Sequence, residues 1–438
     1  MEVKMLSRKM VKPANPTPDH LVASKVSFFD QMQPPVYIPS IYFFKSGSTS
    51  RDRLEASLSE TLTRFYPLAG RLSVDGSSVN FNDEGIEYLE AEALDVTLAE
   101  LLERAPTNLE LLHGLVPWDV QKATLDKSAI MGIQLTVFKC GGLVISTVSS
   151  HIMLDGFSGS TFFREWSVAC RAGLKEVMVP NFDMPLVFPR KDLSGLIKPS
   201  GSPFLRNMKI VTKRFVFHQK TIGGLKSEVR ASSGNVLSPS RVEVIACAVW
   251  KVLISIDQAN HGILRDSTLC TSVNLRGRTG IKEIPQNVFG NFYFQIPTRF
   301  KTENITKPED LELHQLVSLF SSTIKNEIME CSKISDPNEL MAKVAKNINI
   351  IREDRGNNRV NSRFFNTLCN FPMYDVDFGW GEPEWVGVTN VPVELVVLMD
   401  SKCRTKVEAM VSLTEADMNR FENHPDIVAL TSLMESSP

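Results

Sequence analysis

The chain has no excess charge of either sign. Its 48 Lys and Arg stand against 50 Asp and Glu, a formal net charge of −2 over 438 residues. That gives no broad field for gripping a phosphate backbone, and no nucleic-acid partner is expected. No run reaches the roughly 18 consecutive apolar residues that a spanning helix needs, so no membrane partner is expected either. Residues 1–12 carry scattered charges and no apolar stretch, so no secretory signal is expected and the cytoplasm is the expected location. The seven cysteines (Cys140, Cys170, Cys247, Cys270, Cys331, Cys369 and Cys403) are odd in number and form no CxxC pair. They read mostly as small buried hydrophobes in a reducing compartment. Without a leader, the Asn304-Ile305-Thr306 pattern for N-glycosylation reads as chance.

Several chemistries lack their motifs. Neither GxxxxGK[ST] nor GxGxxG occurs, so a phosphate-cradling nucleotide loop has no support. There is no HExxH, and His20, His113, His218, His261, His314 and His424 are isolated, so no metal site is expected. Gly156-Phe157-Ser158-Gly159-Ser160 approaches a nucleophile elbow, but Ser160 stands where GxSxG requires its last glycine.

What is present is a globular composition, 43% hydrophobic and 22% charged, in a chain long enough for two or three domains. β-rich runs at 36–44, 86–91, 129–139 and 143–150 alternate with helical spacing at 51–65 and 157–171. Gly141-Gly142 between two of these runs is a hairpin signal. Residues 181–203 hold Pro185, Pro189, Pro199 and Pro203 with little periodicity and read as a linker or crossover. Beyond it come strand-like runs at 213–218, 267–275, 292–296, 395–400 and 406–413. Helical runs fall at 240–254, 308–331 and 338–351. The fold class is α/β, with two halves of similar mixture. Expected boundaries are 1–185 for the N-terminal domain, 186–210 for the crossover and 211–438 for the C-terminal domain.

Three local patterns suggest chemistry. His151-Ile152-Met153-Leu154-Asp155-Gly156 directly follows a strand and precedes a helix. A histidine there projects well into a cleft and titrates near neutrality, which suits a general base. The alternative is a turn histidine with a satisfied hydrogen bond. In Asp377-Phe378-Gly379-Trp380-Gly381, Gly379 and Gly381 flank an indole in a sharply turned loop. Trp380 is a candidate N–H donor to an oxyanion. The alternative is a buried packing Trp, with Asp377 as a turn or salt-bridge residue. Val273-Asn274-Leu275-Arg276-Gly277-Arg278 closes a strand, where Arg276 can meet a carboxylate or simply face solvent.

Together these residues resemble the plant BAHD acyltransferase family over essentially the whole chain. The HxxxD and DFGWG elements are its two defining motifs. Phe65-Tyr66-Pro67-Leu68-Ala69-Gly70-Arg71, Val273 to Arg276 and Phe289-Gly290-Asn291 match further family positions. Pro180 to Asp183 and Lys213 to Phe217 look closest to the alkaloid O-acetyltransferase branch. The resemblance implies two similarly folded mixed-sheet domains in the chloramphenicol acetyltransferase manner, joined by a long crossover, with a solvent channel between them. It implies acyl transfer from an acyl-CoA co-substrate, with no permanently bound cofactor and no metal, to a small-molecule alcohol by a monomeric enzyme. His151 would be the base and Trp380 an oxyanion support. Asp155 is expected to turn away from His151 and pair with Arg276, while Asp377, Gly379 and Gly381 are structural. The branch points to acetyl and an alkaloid acceptor. Residues 144–157 and 374–381 contain no Lys or Arg to pair with a malonyl carboxylate, which also favours acetyl. Malonyl transfer and thioester hydrolysis are the alternatives.

Overall fold

The computed structural model describes residues 1–47, 51–105, 108–120, 129–197, 209–303, 305, 307, 310–389, 391 and 393–431. The glycosylation-like Asn304 and Thr306, and residues 198–208 of the expected crossover, lie outside these. The chain forms two compact units. The first comprises Met1–Lys191, Lys282–Phe292 and Asn370–Val391, and the second Asp192–Ile281, Tyr293–Cys369 and Pro392–Pro438. The division is therefore not linear. Two segments from the second half of the sequence complete the first unit.

The first unit is built on a six-stranded sheet. Its spatial order is Lys4–Val11, Ile86–Ala93, Met131–Phe138, Leu143–Ser150, Tyr37–Phe44 and Trp385–Gly387. Ile86–Ala93 and Met131–Phe138 run parallel, and the other neighbours pair antiparallel. The hairpin expected at Gly141-Gly142 is present. Gly141 sits at φ +81, a region that favours glycine, and its N–H donates to Phe138 O at 2.9 Å. Leu143–Ser150 is buried along nearly all its length, which is why it reads as a continuous β-branched run rather than an alternation.

Helix Gly156–Ala172 buries Phe162, Phe163 and Trp166 on one face. It packs on helix Arg51–Arg64, which presents Leu54, Leu58 and Leu62 at the matching spacing. The Trp166 indole N–H donates to Leu54 O at 3.2 Å and Ser57 Oγ at 3.1 Å, so this buried aromatic has no polar deficit. Truncating such a side chain typically costs about 3–5 kcal/mol.

The second unit carries another six-stranded mixed sheet. The order is Tyr293–Phe300, Asp266–Asn274, Val360–Thr367, Leu395–Asp400, Val407–Thr414 and Ile210–Phe217. Its core helix, Arg241–His261, starts at a Ser240–Glu243 capping box and ends at Gly262 in the left-handed region. Trp250 on this helix is fully buried, and its N–H reaches Ser267 Oγ at 2.8 Å. No described helix is long and apolar enough to cross a membrane.

Candidate active site

The site grows from the end of strand Leu143–Ser150. The pairing with Tyr37–Phe44 closes at Tyr37 opposite Ser150, and His151 N–H then donates to Val36 O at 2.9 Å. The chain turns at once, with Met153 N–H bonding Ser150 O at 3.1 Å. Asp155 starts the next helix. Its backbone is extended (φ −84, ψ 170), and its Oδ1 accepts from Ser158 N at 2.8 Å as an N-cap. His151 is thus held in a short turn between a rigid strand and a capped helix, and it is largely buried there.

A second segment fixes this turn from outside. Phe292 N–H donates to Asp155 Oδ2 at 3.0 Å. Gly290 and Ser158 exchange two bonds, Ser158 Oγ to Gly290 O at 2.9 Å and Gly290 N–H to Ser158 Oγ at 3.0 Å. Gly290 lies at φ +120, which an L side chain adopts only with strain. Asn291 is fully buried. Its Nδ2 reaches His151 O at 2.9 Å, Ile152 O at 3.1 Å and Asp30 Oδ1 at 2.9 Å. All three are acceptors, so the amide orientation is set by its surroundings.

Asp30 belongs to the short helix Phe28–Gln31, capped by Ser27. Its Oδ2 accepts from Ser27 N at 2.9 Å and Ser27 Oγ at 2.7 Å. Burial pushes its carboxyl up to about 6 despite these donors. Burial likewise lowers the His151 imidazole below its ordinary value. Hydrogen bonding to its own carbonyl, the Asp155 charge, the Leu154 backbone and the Asn291 side chain oppose this only in part. The net result favours neutral imidazole, the form that accepts a proton.

The DFGWG element is elsewhere. Asp377 Oδ1 accepts from Gly379 N at 2.8 Å and Gly381 N at 2.9 Å, and Oδ2 takes Arg171 Nη1 at 3.0 Å. Gly379 and Gly381 lie at φ +107 and +102, so the loop needs both glycines. Phe378 packs on Trp166, and Trp380 stacks on Phe378 and meets Phe44 edge-on at 5.9 Å between ring centroids. Two rulers give the separation from His151. Phe44 is the far end of the strand whose near end, Tyr37, adjoins His151, about 23 Å away at strand rise. Arg171 is sixteen residues along the helix from Asp155, about 24 Å at helical rise. Trp380 is therefore not brought to His151, and the oxyanion role expected of it fails on distance. Asp377, Gly379 and Gly381 form a hydrogen-bonded turn.

Arg276 belongs to the second unit, just past strand Asp266–Asn274, where its N–H and Nη1 both bond Asn274 Oδ1, at 3.0 and 3.1 Å. Sequence reasoning noticed Asn291 only as a family position and missed Asp30. The visible signals were the Ser27-Phe28-Phe29-Asp30 cap pattern and a glycine preceding Asn291. Among the described residues no group of three His, Cys, Asp or Glu is placed to hold a metal.

Residues 1–428 match the family described as Transferase family. An acetyl-CoA-benzylalcohol acetyltransferase of Clarkia breweri is 34% identical over 99% of this chain and 100% of its own. A malonyltransferase of Salvia splendens acting on a pelargonidin glucoside is 33% identical over 98% and 99%. The stemmadenine O-acetyltransferase of Catharanthus roseus is 30% identical over 96% of each. Among solved structures, vinorine synthase superposes with a TM-score of 0.81 at 28% identity, covering 100% of this chain and 99% of that one. The F. sporotrichioides TRI101 complex with coenzyme A and T-2 shares the fold at a TM-score of 0.72 and 16% identity, over 93% and 98%. Fold and comparisons together define an acyltransferase that takes its acyl group from coenzyme A. The chain belongs to the BAHD family, near its alkaloid acetyltransferases, and its co-substrate is an acyl-CoA.

Proposed function

We propose that the chain transfers an acetyl group from acetyl-CoA to a hydroxyl of a plant specialised metabolite, an alkaloid by preference, with His151 as general base. The observation that carries this is the histidine held at a strand-to-helix turn of a BAHD chain, between strand Leu143–Ser150 and the helix capped by Asp155. His151 takes the proton of the acceptor hydroxyl as its oxygen attacks the thioester carbonyl. The tetrahedral intermediate collapses by breaking the C–S bond. The proton then passes from His151 to the departing thiolate, giving the ester and free coenzyme A.

The alkaloid acceptor is supported by the stemmadenine relative and the vinorine synthase likeness. The acetyl donor is supported by the Clarkia and Catharanthus relatives and by the absence of Lys and Arg from residues 144–157. Residues 377–381 no longer contribute to that argument, given their distance from His151. The Salvia relative keeps malonyl as the rival donor. The test is thiol release and product mass with acetyl-CoA and malonyl-CoA against alkaloid and benzylic alcohols, using wild type and His151→Ala. Loss of about two to four orders of magnitude is expected for the variant. Retention of activity within threefold in a folded variant overturns the base. A predominant malonyl ester overturns the donor. Thiol release independent of any alcohol overturns transfer in favour of hydrolysis.

A further inference from the structure

We propose that Asp30 and Asn291 form a buried positioning pair for His151, acting through the backbone carbonyls of the turn that carries it. The proposal rests on His151 being the base. Asn291 Nδ2 spans three oxygens, two of them the carbonyls of His151 and Ile152, at 2.9 and 3.1 Å. The third, Asp30 Oδ1, also accepts from the Asn291 backbone N–H at 3.3 Å, so both nitrogens of Asn291 converge on one carboxylate oxygen. The other oxygen, Oδ2, is tied to Ser27 N and Oγ at its own helix start. The carboxylate is thereby immobilised and in turn immobilises the amide.

The amide acts where the imidazole needs it. Asn291 donates to the carbonyl of His151 itself and to that of the next residue, Ile152. Holding both carbonyls holds the backbone from which the imidazole projects, and with it the direction in which the ring meets the acceptor alcohol. Asp155, four residues along, takes Ser158 N and Phe292 N on its two oxygens. The positioning amide lies 140 residues from His151 in sequence, outside the HxxxD element.

A double-mutant cycle tests this. Asn291→Ala is expected to lower kcat by about 10- to 100-fold, the scale of a displaced catalytic group, with KM for acyl-CoA and alcohol within threefold. In the His151→Ala background the same change is expected to alter the residual rate by less than twofold, because there is no imidazole left to position. Asp30→Asn, which keeps an acceptor for Asn291 but removes its charge and one acceptor for Ser27, should show a smaller kcat loss and the same silence. If Asn291→Ala does not fold, Asn291→Ser and Asp30→Asn carry the cycle. Equal fold-losses with and without His151, or kcat within threefold of wild type for folded Asn291 variants, overturn the proposal. Wild-type activity in His151→Ala alone overturns the base instead, so the two failures are distinguishable.

Discussion

Replacing Asp155 with alanine removes two acceptors at once. Ser158 N–H loses its cap at 2.8 Å, and the amide of the fully buried Phe292 loses its partner at 3.0 Å. The cap is worth about 1 kcal/mol. An unsatisfied buried amide costs about 1–3 kcal/mol. These two losses give about 2–4 kcal/mol, hence a melting temperature lower by about 4–15 °C for a unit of this size. Asparagine separates the two terms. It caps helices as well as aspartate does, but its Nδ2 would face the Phe292 N–H, so Asp155→Asn should recover only the capping share. A second readout concerns the imidazole. The Asp155 charge raises the His151 pKa, so removing it should move the acidic limb of kcat/KM further down in pH. Thermal melts of the three proteins and their pH–rate profiles form the assay. An Asp155→Ala protein melting within 1–2 °C of wild type would refute the reasoning. So would an Asn variant that is the less stable of the two.

In wild type the acidic limb of kcat/KM that reports His151 should fall below the ordinary imidazole value of about 6.5, since burial lowers its pKa; a His151-dependent limb above pH 7 contradicts this. Asp30 is raised from 3.8 to about 6 in the folded chain, so the native state binds its proton more tightly than the unfolded state. Its contribution to stability is therefore lost as pH rises from about 4 to 6, on the order of 3 kcal/mol. Chemical denaturation across that range should show wild type gaining on Asp30→Asn as pH falls, and parallel curves would count against it. Trp380→Phe should keep kcat within threefold, whereas an oxyanion donor would cost about 100- to 1,000-fold. Asp377→Ala should lower the melting temperature by stranding the Gly379 and Gly381 amides, with kcat falling less than tenfold at temperatures where it stays folded.

Strong periodicity made most of the fold readable. Helix Arg51–Arg64 and strands Leu143–Ser150 and Val407–Thr414 lie close to their expected bounds because each buries a continuous apolar face, whereas helix Arg241–His261 starts where expected but runs on past residue 254 to its Gly262 cap. Strand Lys4–Val11 escaped because it is a sheet edge, exposed over most of its length, with charges and methionines in no alternation. Helix Gln219–Ser232 escaped because Gly223-Gly224 reads as a break. Ile222, Leu225 and Val229 nevertheless bury one helical face, and that packing overrides the local cost of the glycines. In the site, the His151 turn was legible because all its signals are local. The meaning of Trp380 was not, because a glycine-flanked indole looks the same in sequence whether it faces a substrate or a Phe. The Asp30–Asn291 contact spans 261 residues, beyond any spacing argument.

The discontinuity of the first unit bears on how the protein is made. Its sheet is closed at one margin by Trp385–Gly387, which pairs Trp385 with Phe43 and stacks the two rings at 5.0 Å between centroids. At translation speeds of about 5–20 residues per second, that strand emerges on the order of 10–50 s after His151. During that interval Tyr37–Phe44, a strongly apolar strand, waits on the ribosome with one backbone edge uncovered, and the His151 turn waits for Asn291. A nascent chain in this state is a natural client for chaperones that shield β edges. A gene truncated after Lys191 should yield aggregate rather than a stable half-enzyme.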